Sequence, residues 1–102
     1  MTGRGKRKKA HVLADRLKAE LELTECDPVL TARDARDHGE WLRRDEIKFH
    51  LAIKETSLRV PLKKSLFFSG ELDEDYYFGL ITRMWRSHLT DEAQRVMEEH
   101  AT

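Results

Sequence analysis

At 102 residues, 39% hydrophobic and 37% charged with no net charge, the chain has the material for one modest core. It holds no apolar run approaching the ~20 residues of a membrane span, and no apolar stretch follows its N-terminal bases as in a secretory signal, so a cytoplasmic protein is expected. Cys26 stands alone, which excludes an internal disulfide, and its neighbours Glu25 and Asp27 disfavour a reactive thiolate.

The balanced total hides an uneven distribution. Arg4, Lys6, Arg7, Lys8 and Lys9 fall within the first nine positions with no acid among them, so the remainder carries a matching excess of acids. A like-charged, glycine-bearing segment has nothing to bury, and residues 1–8 are expected to form a disordered basic arm. Behind it, Ala10, Leu13, Leu17 and Leu21 recur at three- and four-residue spacing and predict a helix from about Lys9 to Leu23.

A second, short helix is predicted over roughly Pro28 to His38 and ended by Gly39. It starts either at Asp27-Pro28 or at Thr31, where Asp34 completes a capping-box pattern. Residues 40–56 read in two ways. Their composition is rich in helix formers, and Leu42, Phe49 and Ile53 share a helical face. Yet Ile47, Phe49, Leu51 and Ile53 also alternate with Lys48, His50, Ala52 and Lys54, as in a strand whose partner follows through Leu58, Val60 and Leu62. With no tight-turn residues at Glu55-Thr56-Ser57, the helix is preferred. Pro61 to Ser69 predicts another short helix, with Leu62, Leu66 and Phe67 inward.

Asp73 then caps the clearest helix, carried by Tyr76, Tyr77, Leu80, Ile81, Met84, Trp85, His88 and Leu89, with Gly79 marking a close helix crossing. Thr90-Asp-Glu opens a last helix reaching about His100. The expected fold is all-α, a compact bundle of four to six helices in a single domain over residues 9–102. An α+β fold with a hairpin in 46–63 is the alternative.

Chemistry is hard to place on this pattern. The five histidines, His11, His38, His50, His88 and His100, form no pair at metal-binding spacing, and Cys26 has no second cysteine, so neither a metal site nor a cofactor is expected. No nucleophile motif or phosphate-binding glycine loop occurs, and an enzyme is not expected. Glu46-x-Lys48 has the form of a metal-dependent nuclease motif, with Asp27, Asp34 or Asp37 as the further acid. It requires a strand, because on a helix residues two apart diverge.

The expected function is accessory nucleic-acid binding. Arg4, Lys6, Arg7, Lys8 and Lys9 hold phosphates, and a second basic surface comes from Arg43, Arg44, Lys48, Lys54, Arg59, Lys63 and Lys64. The alternative is a protein-interaction module, an adaptor or inhibitor of a larger enzyme, with a homo-oligomer also compatible with this pattern. Its contact surface would combine the aromatics Trp41, Phe68 and Phe78 with the acids Glu71, Asp73, Glu74 and Asp75.

Overall fold

The computed structural model describes residues 2–69 and 73–100, with the side chains of Thr2, Arg4 and Lys6 outside the described set. In chain order its elements are α1 (Thr2–Glu20), β1 (Glu25–Val29), α2 (Ala32–Asp37), β2 (Glu46–Ile53), β3 (Thr56–Lys63), α3 (Lys64–Phe67) and α4 (Glu74–His100). The strands form one antiparallel sheet in the order β1-β2-β3. The fold is therefore α+β, and the all-α bundle is corrected to its alternative.

Burial decides between helix and hairpin for residues 46–63. Ile47, Phe49 and Leu51 are fully buried on one face of β2 and meet Leu62, Val60 and Leu58 of β3 directly across the ladder. A helix would spread the same residues around its circumference, and the period-two burial outweighs the helix propensity of the polar positions between them. Ile53 pairs with Thr56, leaving a two-residue loop of Lys54 and Glu55 in which Lys54 takes a left-handed φ of 54°.

The expected helix start at Asp27-Pro28 is likewise corrected. Both residues lie in β1, an edge strand, where a residue without an N–H is tolerated. Thr31 is the cap instead. Its Oγ1 accepts the Asp34 N–H at 3.1 Å, while Asp34 Oδ2 accepts the N–H groups of Thr31 and Leu30, each at 3.2 Å. Gly39, at φ +67°, ends α2 and lets the Glu40 N–H reach back to the Ala35 carbonyl at 2.7 Å.

At the N-terminus the expected disordered arm is also corrected, because the backbone is helical from Thr2 and runs without a break into the amphipathic stretch. Lysine and arginine are good helix formers, and Arg7 is tied to Asp34 at 3.3 Å. The helix closes at Glu22, whose φ of 53° turns the Leu23 N–H onto the Lys18 carbonyl at 3.0 Å.

α4 is one helix of 27 residues where two were expected. Thr90 does not cap a new helix, since its hydroxyl donates to the Arg86 carbonyl at 3.0 Å inside a continuous one. Gly79 marks no close crossing, because the nearest atom to a Cβ there is Arg83 Nη1 at 3.5 Å, an ordinary contact. The core fills one face of the sheet: Leu13 and Leu17 of α1, Phe67 of α3, and Ile81 and Trp85 of α4 close over Phe49 and Leu51. Leu66, expected inward, is 61% exposed. The chain leaving α2, through His38, Glu40 and Trp41, covers part of the opposite face.

Candidate functional site

That opposite face carries the polar chemistry. In an antiparallel ladder, directly paired residues point to the same side. Asp27 of β1 pairs with His50 of β2, which pairs with Arg59 of β3, so the three lie in one row across the sheet. Lys48 lies two residues along β2 on the same face. From above, the turn at Gly39 brings down His38, which caps the C-terminus of α2, and Glu40.

Two clusters result. In the first, Nδ1 of His38 and Nδ1 of His50 are 3.2 Å apart, with the rings edge to face at 82°, and His38 Nε2 lies 3.8 Å from Asp27 Oδ2. Burial lowers the His50 pKa from its ordinary value, His38 and Arg59 lower it further, and Glu25 and Glu40 oppose the shift. In the second cluster, the Glu40 side chain is only 7% exposed. One of its carboxylate oxygens lies 2.8 Å from Arg59 Nε and 3.6 Å from Lys48 Nζ. Its Oε2 is buried without a hydrogen-bond partner among the described residues. Lys48 Nζ also donates to the Trp41 carbonyl at 3.1 Å and lies 5.6 Å from the centre of the Trp41 ring. Gly39, Glu40, Trp41, Lys48 and Arg59 line an open cleft of about 360 Å³.

Glu46 and Lys48 stand on a strand, as the nuclease motif requires, so the helical objection to it falls away. The ligand geometry does not follow. Glu46 Oε1 accepts the Arg43 N–H at 3.2 Å and lies 3.8 Å from Lys48. Among the described residues, three ligand atoms gather at Asp27, His38 and His50 and not around Glu46. Spacing along the chain hid this group, whose members come from β1, the end of α2 and β2. The alternation of Lys48 and His50 with Ile47, Phe49 and Leu51 was the available signal, since it already put both polar residues on one face.

The expected basic surface separates into parts. Lys54 sits in the β2–β3 loop, Arg59 is held by Glu40, and Lys48 is engaged as above. The other four converge. Arg43 and Arg44 precede β2, and Lys63 and Lys64 end β3 and begin α3. The Lys64 N–H donates to the Asp45 carbonyl at 3.0 Å, and all four residues are exposed. The Arg7–Asp34 pair brings α1's first turns to this same end of the sheet, where Lys8 and Lys9 are exposed beside Arg7. The side chains of Arg4 and Lys6 lie outside the described residues.

The expected interface residues have mostly internal partners. Phe68 and Phe78 are half-buried and pack on the core, so they do not form the exposed patch expected with Trp41, which is 66% exposed. The guanidinium carbon of Arg16 stacks 4.0 Å over Phe78, and Arg16 Nη1 donates to Asp75 at 2.7 Å and to Glu74 at 3.1 Å. Asp73 caps α4 by accepting the Tyr76 N–H at 3.1 Å. Glu71 lies outside the described residues. Among the described residues, no helix is long and apolar enough to cross a membrane. No family model, curated protein or solved structure matches the chain.

Proposed function

We propose that the protein binds the phosphate backbone of nucleic acid through the basic end of its sheet. The observation that supports this is the convergence of Arg7, Lys8 and Lys9 of α1 with Arg43, Arg44, Lys63 and Lys64, seven cations contributed by three separate segments. The opposite end carries acids: Glu20 and Glu22 close α1, Glu25 begins β1, and Glu55 lies in the hairpin loop. A field of this shape orients an approaching polyanion toward one end of the molecule.

At the basic end the local acids are partly neutralised by local donors. Asp34 is paired with Arg7, Asp45 accepts the Ser65 N–H at 3.0 Å and its hydroxyl at 2.9 Å, and Glu46 accepts the Arg43 N–H. Glu74 lies beside Lys8 and Lys9, so the excess of solvent-facing cations rests mainly on Arg43, Arg44, Lys63 and Lys64. The contacts proposed are with phosphates, so the binding is directed at backbone and shape.

A salt titration of binding to mixed-sequence duplex and single-stranded nucleic acid tests the reading. The full chain is compared with the quadruple variant Arg43→Glu/Arg44→Glu/Lys63→Glu/Lys64→Glu. If all four residues contact phosphates of a duplex, the slope of log affinity against log salt becomes shallower by about 3 to 4. Charge reversal at Lys54, at the far end, leaves that slope unchanged. An identical slope for the quadruple variant, or no binding by the full chain at low salt, overturns the proposal.

A further inference from the structure

We infer that Asp27, His38 and His50 form a binding site for a single divalent transition-metal ion of the zinc class, a role independent of phosphate binding at the basic end. One ligand atom from each of the three side chains lies within 4.8 Å of the others. A metal bound tetrahedrally at nitrogen distances of about 2.0–2.1 Å separates two ligating nitrogens by roughly 3.3–3.4 Å. The two Nδ1 atoms stand 3.2 Å apart, close to one edge of such a tetrahedron. Asp27, whose Oδ2 lies 3.8 Å from the other nitrogen of His38, Nε2, supplies the carboxylate oxygen by turning toward the Nδ1 pair. Its side chain is 48% exposed, which leaves it room to swing onto the ion.

Rigid elements hold the backbones of all three ligands. Asp27 and His50 are fixed opposite one another by the β1–β2 ladder, and His38 is fixed as the C-cap of α2, its N–H held by the Ala35 carbonyl at 3.1 Å. Two imidazoles and one carboxylate are a borderline-soft donor set that suits zinc, cobalt or nickel and serves calcium or magnesium poorly. Three protein ligands leave a fourth position for water or for an oxygen of a bound molecule. The ion also joins β1, β2 and the end of α2, so loading stabilises the fold through binding to the native state alone.

Without a metal, the same 3.2 Å contact is an ordinary hydrogen bond between one protonated and one unprotonated nitrogen, and the experiment separates the two. Metal-stripped full-length protein is titrated with cobalt(II), whose visible absorption reports coordination geometry, and then with zinc in competition. The expected result is one saturable equivalent with tetrahedral-type bands that zinc displaces. Affinity falls by about 100-fold in His38→Gln or His50→Gln and is unchanged in His88→Gln. As a readout that needs no variant, zinc titration of the wild-type chain shifts the ring nitrogen resonances of His38 and His50 and leaves those of His11, His88 and His100 in place. The absence of saturable binding, or shifts confined to the other histidines, overturns the site.

Discussion

Phe67 meets Phe49 with ring centroids 5.6 Å apart, and both rings are fully buried. Phe67 also packs edge to face on Phe68 and on Tyr77, each at 4.9 Å. A four-residue helix, barely one turn long, would not hold together alone. It is this one ring that fastens α3 to the sheet on one side and to α4 on the other. Phe67→Ala is therefore expected to cost about 3–5 kcal/mol, with Phe67→Leu costing clearly less, as read from the midpoint of a urea unfolding curve. A loss below about 1 kcal/mol would show that the ring is not a structural hub.

The hairpin loop explains why the fold was only half legible. The alternation through Ile47, Phe49 and Leu51 was plain in the sequence, and the buried stripe of α1 at Ala10, Leu13 and Leu17 is where the periodicity put it. The turn was not, because Lys54 occupies a left-handed position normally given to glycine or asparagine. Glu22 hides the end of α1 in the same way. The candidate metal group was hidden for a different reason, since strand pairing and the α2 cap, and no local motif, bring Asp27, His38 and His50 together.

That strain makes a prediction. Lys54→Gly relieves a left-handed side-chain penalty of about 1–2 kcal/mol and adds backbone entropy cost of about 0.5–1 kcal/mol, so a net gain of roughly 0.5–1 kcal/mol is expected. The check is the thermal midpoint of the variant beside the wild type, with Glu55→Gly as the comparison. Glu55 has no positive φ, so glycine there brings the entropy cost alone and lowers the midpoint.

Cys26 gives a prediction about reactivity. It pairs with Leu51 on the core face of the sheet, is 7% exposed, and burial together with the charges of Asp27 and Asp15 pushes its thiol pKa up to about 12. The thiolate is the reacting form, so at pH 8 the native protein is expected to resist a disulfide reagent. In denaturant the same thiol, returned to an ordinary pKa, reacts within the dead time of mixing. Fast labelling of the native state would contradict the burial of the sulfur.

The last prediction concerns acid and turns on Asp34. Burial pushes its pKa up, but the N–H groups of Leu30 and Thr31, the Thr31 side chain and the charge of Arg7 outweigh burial and hold it below the ordinary value. A carboxyl whose folded pKa is depressed binds fewer protons when folded than when unfolded. Its stabilising contribution is therefore complete above the unfolded pKa, near pH 4, and is lost as pH falls through the lower folded value. Asp34→Asn keeps the shape and removes the charge. At neutral pH it is expected to cost on the order of 1 kcal/mol, the usual size of a lost cap interaction. The difference from wild type should shrink as the solution is acidified below about pH 4, because protonation removes the same charge from the wild type. Arg7→Ala separates the two contributions. The Arg7 pair is half exposed at the arginine and screened by salt, so that variant should lose less than Asp34→Asn, and its deficit should fade at high ionic strength while that of Asp34→Asn persists.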